Sequence, residues 1–187
     1  MLTALRARCF AVPAISCTVL AASGSSPVRA ENEATGHAET RATNRYAIHI
    51  AQAITASTLH RVLDGARDRL SDPRCQQVLD DFRDGAGRPL RARLEETGRT
   101  PEDYLGLIIF YDGRTHPRCA RDGILAATSV GSRAVFVCPG ELDMQARLNR
   151  RLAEATLIHE ALHTLGLGEN PPSSREITEQ VIRRCRR

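Results

Sequence analysis

The residues best placed to do chemistry are His159, Glu160 and His163, in the stretch LIHEALHTLGLGENPP from Leu157 to Pro172. Histidines at i and i+4 project from one face of a helix, so both imidazoles can reach a single metal ion. Zinc suits neutral imidazole nitrogen, takes carboxylate as a further protein donor and, in catalytic sites, keeps one position open to water. Glu160 lies about 100° round the helix from His159. That places it for proton transfer rather than ligation: it can accept a proton from water acidified by the ion and return one to a leaving amine. The bland alternative is an amphipathic helix with two surface histidines. An H-E-x-x-H string arises by chance in roughly one such sequence in a hundred, and here the intervening Ala161 and Leu162 are apolar, no proline intrudes and Gly166 follows.

The eleven residues HEALHTLGLGE resemble the zincin metallopeptidases and are similar to the metzincin pattern HExxHxxGxxH or HExxHxxGxxD. By that resemblance His159 and His163 are two zinc ligands, Glu160 is the general base, Gly166 is the turn glycine and Glu169 stands where the third ligand falls. The pattern departs from the group in two ways. A glutamate occupies the place of histidine or aspartate, and no methionine follows the motif, since Met1 and Met144 both precede it. The resemblance therefore supports a zincin without naming a metzincin family. Gly166 and Gly168 permit the positive φ values that would return Glu169 to the helix it follows. Glu176 and Glu179 offer the other arrangement, similar to gluzincins, in which a following helix supplies the ligand. Glu176 is also the fourth residue of a capping box begun by Ser173, and Glu179 has a solvated reading. The third ligand stays open among these three, with Glu169 favoured.

The elements that must position these groups can be read from periodicity. Ile48, Ala51, Ile54, Leu59, Val62, Ala66 and Leu70 predict a helix from about Arg45 to the Asp72–Pro73 stop, and Cys75, Val78, Leu79 and Phe82 predict a second, shorter one. Leu90 and Leu94 suggest a short turn, and Thr100–Pro101 a helix start. Leu105 to Tyr111 reads as a buried strand, followed by strands from Ile124 to Val130 and from Arg133 to Cys138. Gly131–Ser132 between the last two suits a type II′ hairpin turn. A long helix starting at Asn149 or earlier carries Leu148, Leu152, Ala155, Leu162 and Leu165 as its apolar stripe and ends at Gly166. Ser173 opens a final helix with Ile177, Val181 and Ile182 inward. The expectation is an α+β domain with N-terminal helices, a small mostly antiparallel sheet, the motif helix and a short C-terminal helix, zincin-like by the resemblance. In zincins an edge strand aligns an extended substrate, so Arg133 to Cys138 is expected to hold a peptide through its backbone.

Residues 1–30 read as a secretory signal peptide: Arg6 and Arg8 precede an apolar run from Cys9 to Ala22, and "VRA" ends at Ala30. The run is short for a span and broken by Pro13 and Ser16, so stable membrane insertion after cleavage is not expected. Residues 31–44 read as a disordered polar leader, which leaves residues 45–187 as the domain. Loss of the signal removes three arginines and no acid, taking the formal charge from +4 to +1, so nucleic acid is not an expected partner. The chain has no lysine, which excludes Schiff-base and P-loop lysine chemistry. Cys75, Cys119, Cys138 and Cys185 remain, an even set without C-x-x-C spacing, and disulfides Cys119–Cys138 and Cys75–Cys185 are favoured.

These readings converge on a secreted or periplasmic, monomeric zinc metallopeptidase with one zinc ion and a peptide or protein substrate. The competing expectation is a non-catalytic zinc-stabilised binding module, which needs four protein donors rather than three plus water. Tyr104, Tyr111 and His116 are candidates to stabilise an oxyanion, each with a packing or loop reading beside it. His37, His49 and His60 have no metal spacing, and the C-terminal RRCRR is explained by the helix dipole.

Overall fold

One helix, buried along most of its length, organises everything around it. The computed structural model describes residues 45–186, so the expected signal peptide and leader lie outside the described residues. In order, the elements are strand β1 (Ala47–His49), helices α1 (Ala53–Leu70), α2 (Pro73–Gln76), α3 (Val78–Asp81), α4 (Leu90–Glu95) and α5 (Pro101–Tyr104), a 3-10 turn (Leu105–Leu107), β2 (Ile109–Asp112), a second 3-10 turn (Pro117–Ala120), β3 (Ala126–Thr128), β4 (Ala134–Val137), then α6 (Pro139–Leu148), α7 (Arg150–Thr164) and α8 (Ser174–Arg184). This is α+β, as expected. α7 carries the H-E-x-x-H motif, and Leu157, Ile158 and Leu162 on it are fully buried; each contributes about 1.5–3 kcal/mol of apolar burial.

The sheet corrects the expectation of a mostly antiparallel arrangement. Its order is β1-β2-β4-β3, with β1 and β4 both parallel to β2 and only β3 antiparallel to β4. Parallel neighbours need a crossover, and α1 to α5 supply it between β1 and β2. β1 itself replaces the expected start of the first helix, because residues 47–49 pair with 109–111 and tertiary pairing overrides a helical spacing of apolar residues. The expected strand from Leu105 begins only at Ile109, after a 3-10 turn.

Three smaller corrections follow. The second expected helix is two four-residue helices joined at Gln77. Gly131, with φ of 76°, is the third residue of a turn closed by Ser132 N–H to Ser129 C=O at 2.9 Å, so its positive φ serves that position and not a type II′ start. Before α7 lies a helix that periodicity did not separate: Pro139 takes the first helical position of α6, where its missing N–H costs nothing. α6 stops at Asn149, whose side chain then caps α7 by accepting from Leu152 N–H at 3.1 Å. Leu148 therefore lies outside the stripe assigned to it and is 77% exposed, and Ile182 is likewise exposed.

α7 packs against α1, α6, α8 and β3. At its α1 contact sits Glu154, which accepts from Arg69 Nε at 2.6 Å and pairs with Arg150 Nε at 2.8 Å. A Cβ at Gly65 of α1 would lie 2.1 Å from the Glu154 carboxylate, which explains glycine inside an eighteen-residue helix. Arg69 also donates to the Cys185 carbonyl at 2.6 Å. Both favoured disulfides are present, Cys75–Cys185 tying α2 to the residue after α8, and Cys119–Cys138 tying the second 3-10 turn to the end of β4.

Candidate metal centre

α7 delivers two imidazoles and then reverses to deliver a carboxylate. Gly166 adopts φ of 107°, and the stop is a Schellman motif: Leu167 N–H donates to Leu162 C=O at 3.1 Å and Gly166 N–H to His163 C=O at 2.9 Å. The reversal buries Leu167 and turns its carbonyl toward the last turn of the helix. There it accepts from His163 Nδ1 at 2.7 Å. Two residues later Glu169 comes back over the same face.

The two Nε2 atoms are 2.8 Å apart, and Glu169 Oε1 lies 3.2 Å from that of His163 and 3.7 Å from that of His159. A tetrahedral zinc ion, with donor bonds of about 2.0–2.2 Å, sets its donors roughly 3.3–3.5 Å apart. The three separations bracket that value. The donor chemistry agrees. A carbonyl only accepts, so His163 carries its proton on Nδ1 and its Nε2 presents a lone pair. The Glu169 carboxylate also only accepts, so with a neutral His163 ring the 3.2 Å contact faces two lone pairs on a point a cation could occupy. The His159 ring is oriented by a hydroxyl, its Nδ1 lying 2.9 Å from Thr178 Oγ1 on α8, a group that can donate or accept. Among the described residues His159, His163 and Glu169 form one group able to hold an ion. Burial, and then the neighbouring His163, lower the His159 pKa to about 4, which keeps it neutral and available as a donor.

Glu160 stands apart from the donors, as the helix geometry requires. It is 7% exposed, and burial, followed by the charge on Glu169, raises its pKa to about 8. Two influences act the other way: the charge of Arg118, on the turn pinned by the Cys119–Cys138 disulfide, and the backbone N–H of Thr128 at the end of β3. No arginine forms an ion pair with it among the described residues.

The other candidates go elsewhere. Glu176 completes the Ser173 capping box, accepting from Ser173 N–H at 2.8 Å and Ser173 Oγ at 2.7 Å, and that backbone bond holds its carboxyl below the usual range. Glu179 pairs with Arg175 at 2.7 Å. Tyr104 is buried with its hydroxyl 2.9 Å from Thr164 Oγ1. Tyr111 stacks on His49 and His116 on Phe136. Sequence reasoning missed Thr178 and the Leu167 carbonyl as partners of the histidines. Thr178 did leave a trace, a hydroxyl beside Ile177 on a face otherwise facing the core; a backbone carbonyl leaves none.

β4 is an interior strand, paired on both sides, so it cannot hold a peptide as expected of Arg133 to Cys138. The edge beside α7 is β3. Compared with protein-family models, with curated proteins and with solved structures, the chain matches none.

Proposed function

We propose that this chain is an exported zinc-dependent peptidase of zincin type, in which His159, His163 and Glu169 hold one zinc ion and Glu160 is the general base. The observation that carries the reading is the convergence of three possible ligand atoms, two imidazole nitrogens and a carboxylate oxygen, beside a buried carboxyl group outside that cluster. A closed structural zinc site wants four protein donors. Among the described residues three converge, which favours catalysis. When bound, the ion would supply Lewis acidity, polarising a scissile carbonyl and acidifying water.

The chain's own residues do the rest. Leu167 C=O and Thr178 Oγ1 fix the orientation of the two imidazoles, and the carbonyl also places the proton of His163 on Nδ1, which preserves donor geometry through turnover. Glu160, drawn toward its ionised form by a nearby cation, takes the proton of the attacking water and delivers it to the departing amine. Its burial keeps bulk water from competing for that proton. A peptide laid beside β3 would find an unpaired strand edge running past α7, and backbone pairing there orients an extended substrate with weak demands on its sequence. The mixed sheet with its antiparallel edge strand next to the motif helix is in keeping with the zincin resemblance. Export is supported by the two disulfides, and no helix among the described residues is long and apolar enough to cross a membrane.

The test is bound zinc and hydrolysis of a mixed peptide library by the protein, Glu160→Gln and Glu169→Ala. Glu160→Gln is expected to keep its metal and lose turnover, and Glu169→Ala to lose metal. Undiminished turnover in Glu160→Gln would sink the mechanism, and full zinc in Glu169→Ala would remove that residue from the ligand set.

A further inference from the structure

A cavity of about 270 Å³ opens directly beside His159 and Glu160, walled by α6, α7, the start of α8 and the chain leading into β3. Its walls are of two kinds. Ile124, Leu125 and Leu152 give it an apolar side, while Glu141 and Gln145 of α6 and Thr156 of α7 give it polar acceptors. No arginine lines it, in a domain whose surface is dense with them. Glu141 is its one charged wall group away from the proposed centre.

That carboxylate has no ion-pair partner among the described residues. Its one hydrogen bond among the described residues comes from Gly123 N–H at 3.3 Å, and no guanidinium pairs with it, whereas Asp80, Asp81, Asp84, Glu154 and Glu179 each hold an arginine. It sits in the first turn of α6, where the helix dipole favours negative charge. The N-terminus of α8 also faces the cavity and would favour an anion, but its own capping box already occupies it. A long side chain with an apolar stem and a cationic head matches both wall types. From this we infer that the cavity receives the residue flanking the scissile bond and selects arginine or lysine there, with Glu141 as the recognising group. This names a substrate class for the proposed peptidase and rests on that reading, although the pocket chemistry can be tested without turnover.

Two arms separate the claims. In the first, the protein cleaves a mixed peptide library and the residues flanking each cut are read by mass spectrometry. Arginine and lysine should be enriched about ten-fold or more over leucine and glutamate on one side of the cut. Glu141→Gln, which can still accept from Gly123 N–H, should abolish that enrichment, and Glu141→Arg should shift it to acidic residues. In the second, calorimetry measures binding of N-acetyl-arginine amide and N-acetyl-leucine amide to the Glu160→Gln protein. The arginine compound should bind about ten-fold tighter, and only while Glu141 is present. Cleavage without basic preference, or a preference surviving in Glu141→Gln, overturns the pocket assignment and leaves the peptidase standing. Glu141-dependent binding without any cleavage supports the pocket and overturns the peptidase. Should Glu141→Gln fail to fold, equal binding of the two amides to the Glu160→Gln protein is by itself enough to reject the inference.

Discussion

Glu154 and Glu160 are two buried glutamates on one helix, 5% and 7% exposed, and they have opposite surroundings. Six residues along an α-helix place them about 120° apart round its axis. Glu154 faces α1, where Arg69 and a glycine-made gap receive it, and Arg150 of its own helix pairs with it as well. Glu160 faces β3, where it meets a backbone N–H and a more distant positive charge but no ion-pair partner. A buried charge whose partners are supplied is a structural device, and one left unpaired is a cost that function must justify. Burial alone would not have told them apart; the partners do.

Four substitutions would break or sharpen that contrast. Glu160→Gln should cut peptide turnover about 10²- to 10⁴-fold while the urea midpoint stays the same or rises, because the amide replaces a buried carboxyl that has no ion-pair partner and whose ionisation burial disfavours. A comparable fall in stability would make Glu160 structural after all. Glu154→Ala should do the reverse, lowering unfolding free energy by about 3–5 kcal/mol with zinc affinity unchanged. Most of that loss comes from Arg69, because Arg150 is half exposed and its pair is screened. Gly65→Ala should cost about 1–3 kcal/mol through the clash with Glu154. In a Glu154→Ala background the same change should turn favourable by up to about 1 kcal/mol, since alanine is the better helix former. Additive effects in that double-mutant cycle would show that the glycine does not answer to the glutamate. Thr178→Val is the mildest, expected to weaken zinc binding about 10- to 100-fold, read by competition with a chelator, with the fold intact.

The site was more legible in sequence than the sheet. His159, Glu160, His163, Gly166 and Glu169 form one short segment whose geometry is local, so helix periodicity and a positive-φ glycine were enough to place them together. The same locality made the Ser173 box, the Thr100 cap and the end of α7 readable. β1 was not, because its three residues are a strand only by virtue of pairing with Ile109 to Tyr111, sixty residues away. The interior position of β4 was hidden for the same reason, and with it the identity of the free edge. α6 was missed because Cys138 alone separates the end of β4 from Pro139, the first helical residue. Thr178 and Leu167 act on the histidines through contacts made only when α8 and the Gly166 turn have docked. Pairing and docking are properties of the assembled chain, which a windowed reading does not contain.

The Cys75–Cys185 bridge spans 110 residues, and every element of the candidate site lies within that span. A backbone cut anywhere between the two cysteines leaves one covalent molecule rather than two fragments. The loop from Gly113 to Gly123 gains a further tether from Cys119–Cys138. A nicked chain thus keeps its pieces within reach of one another, and the pieces would part only once the disulfides were reduced.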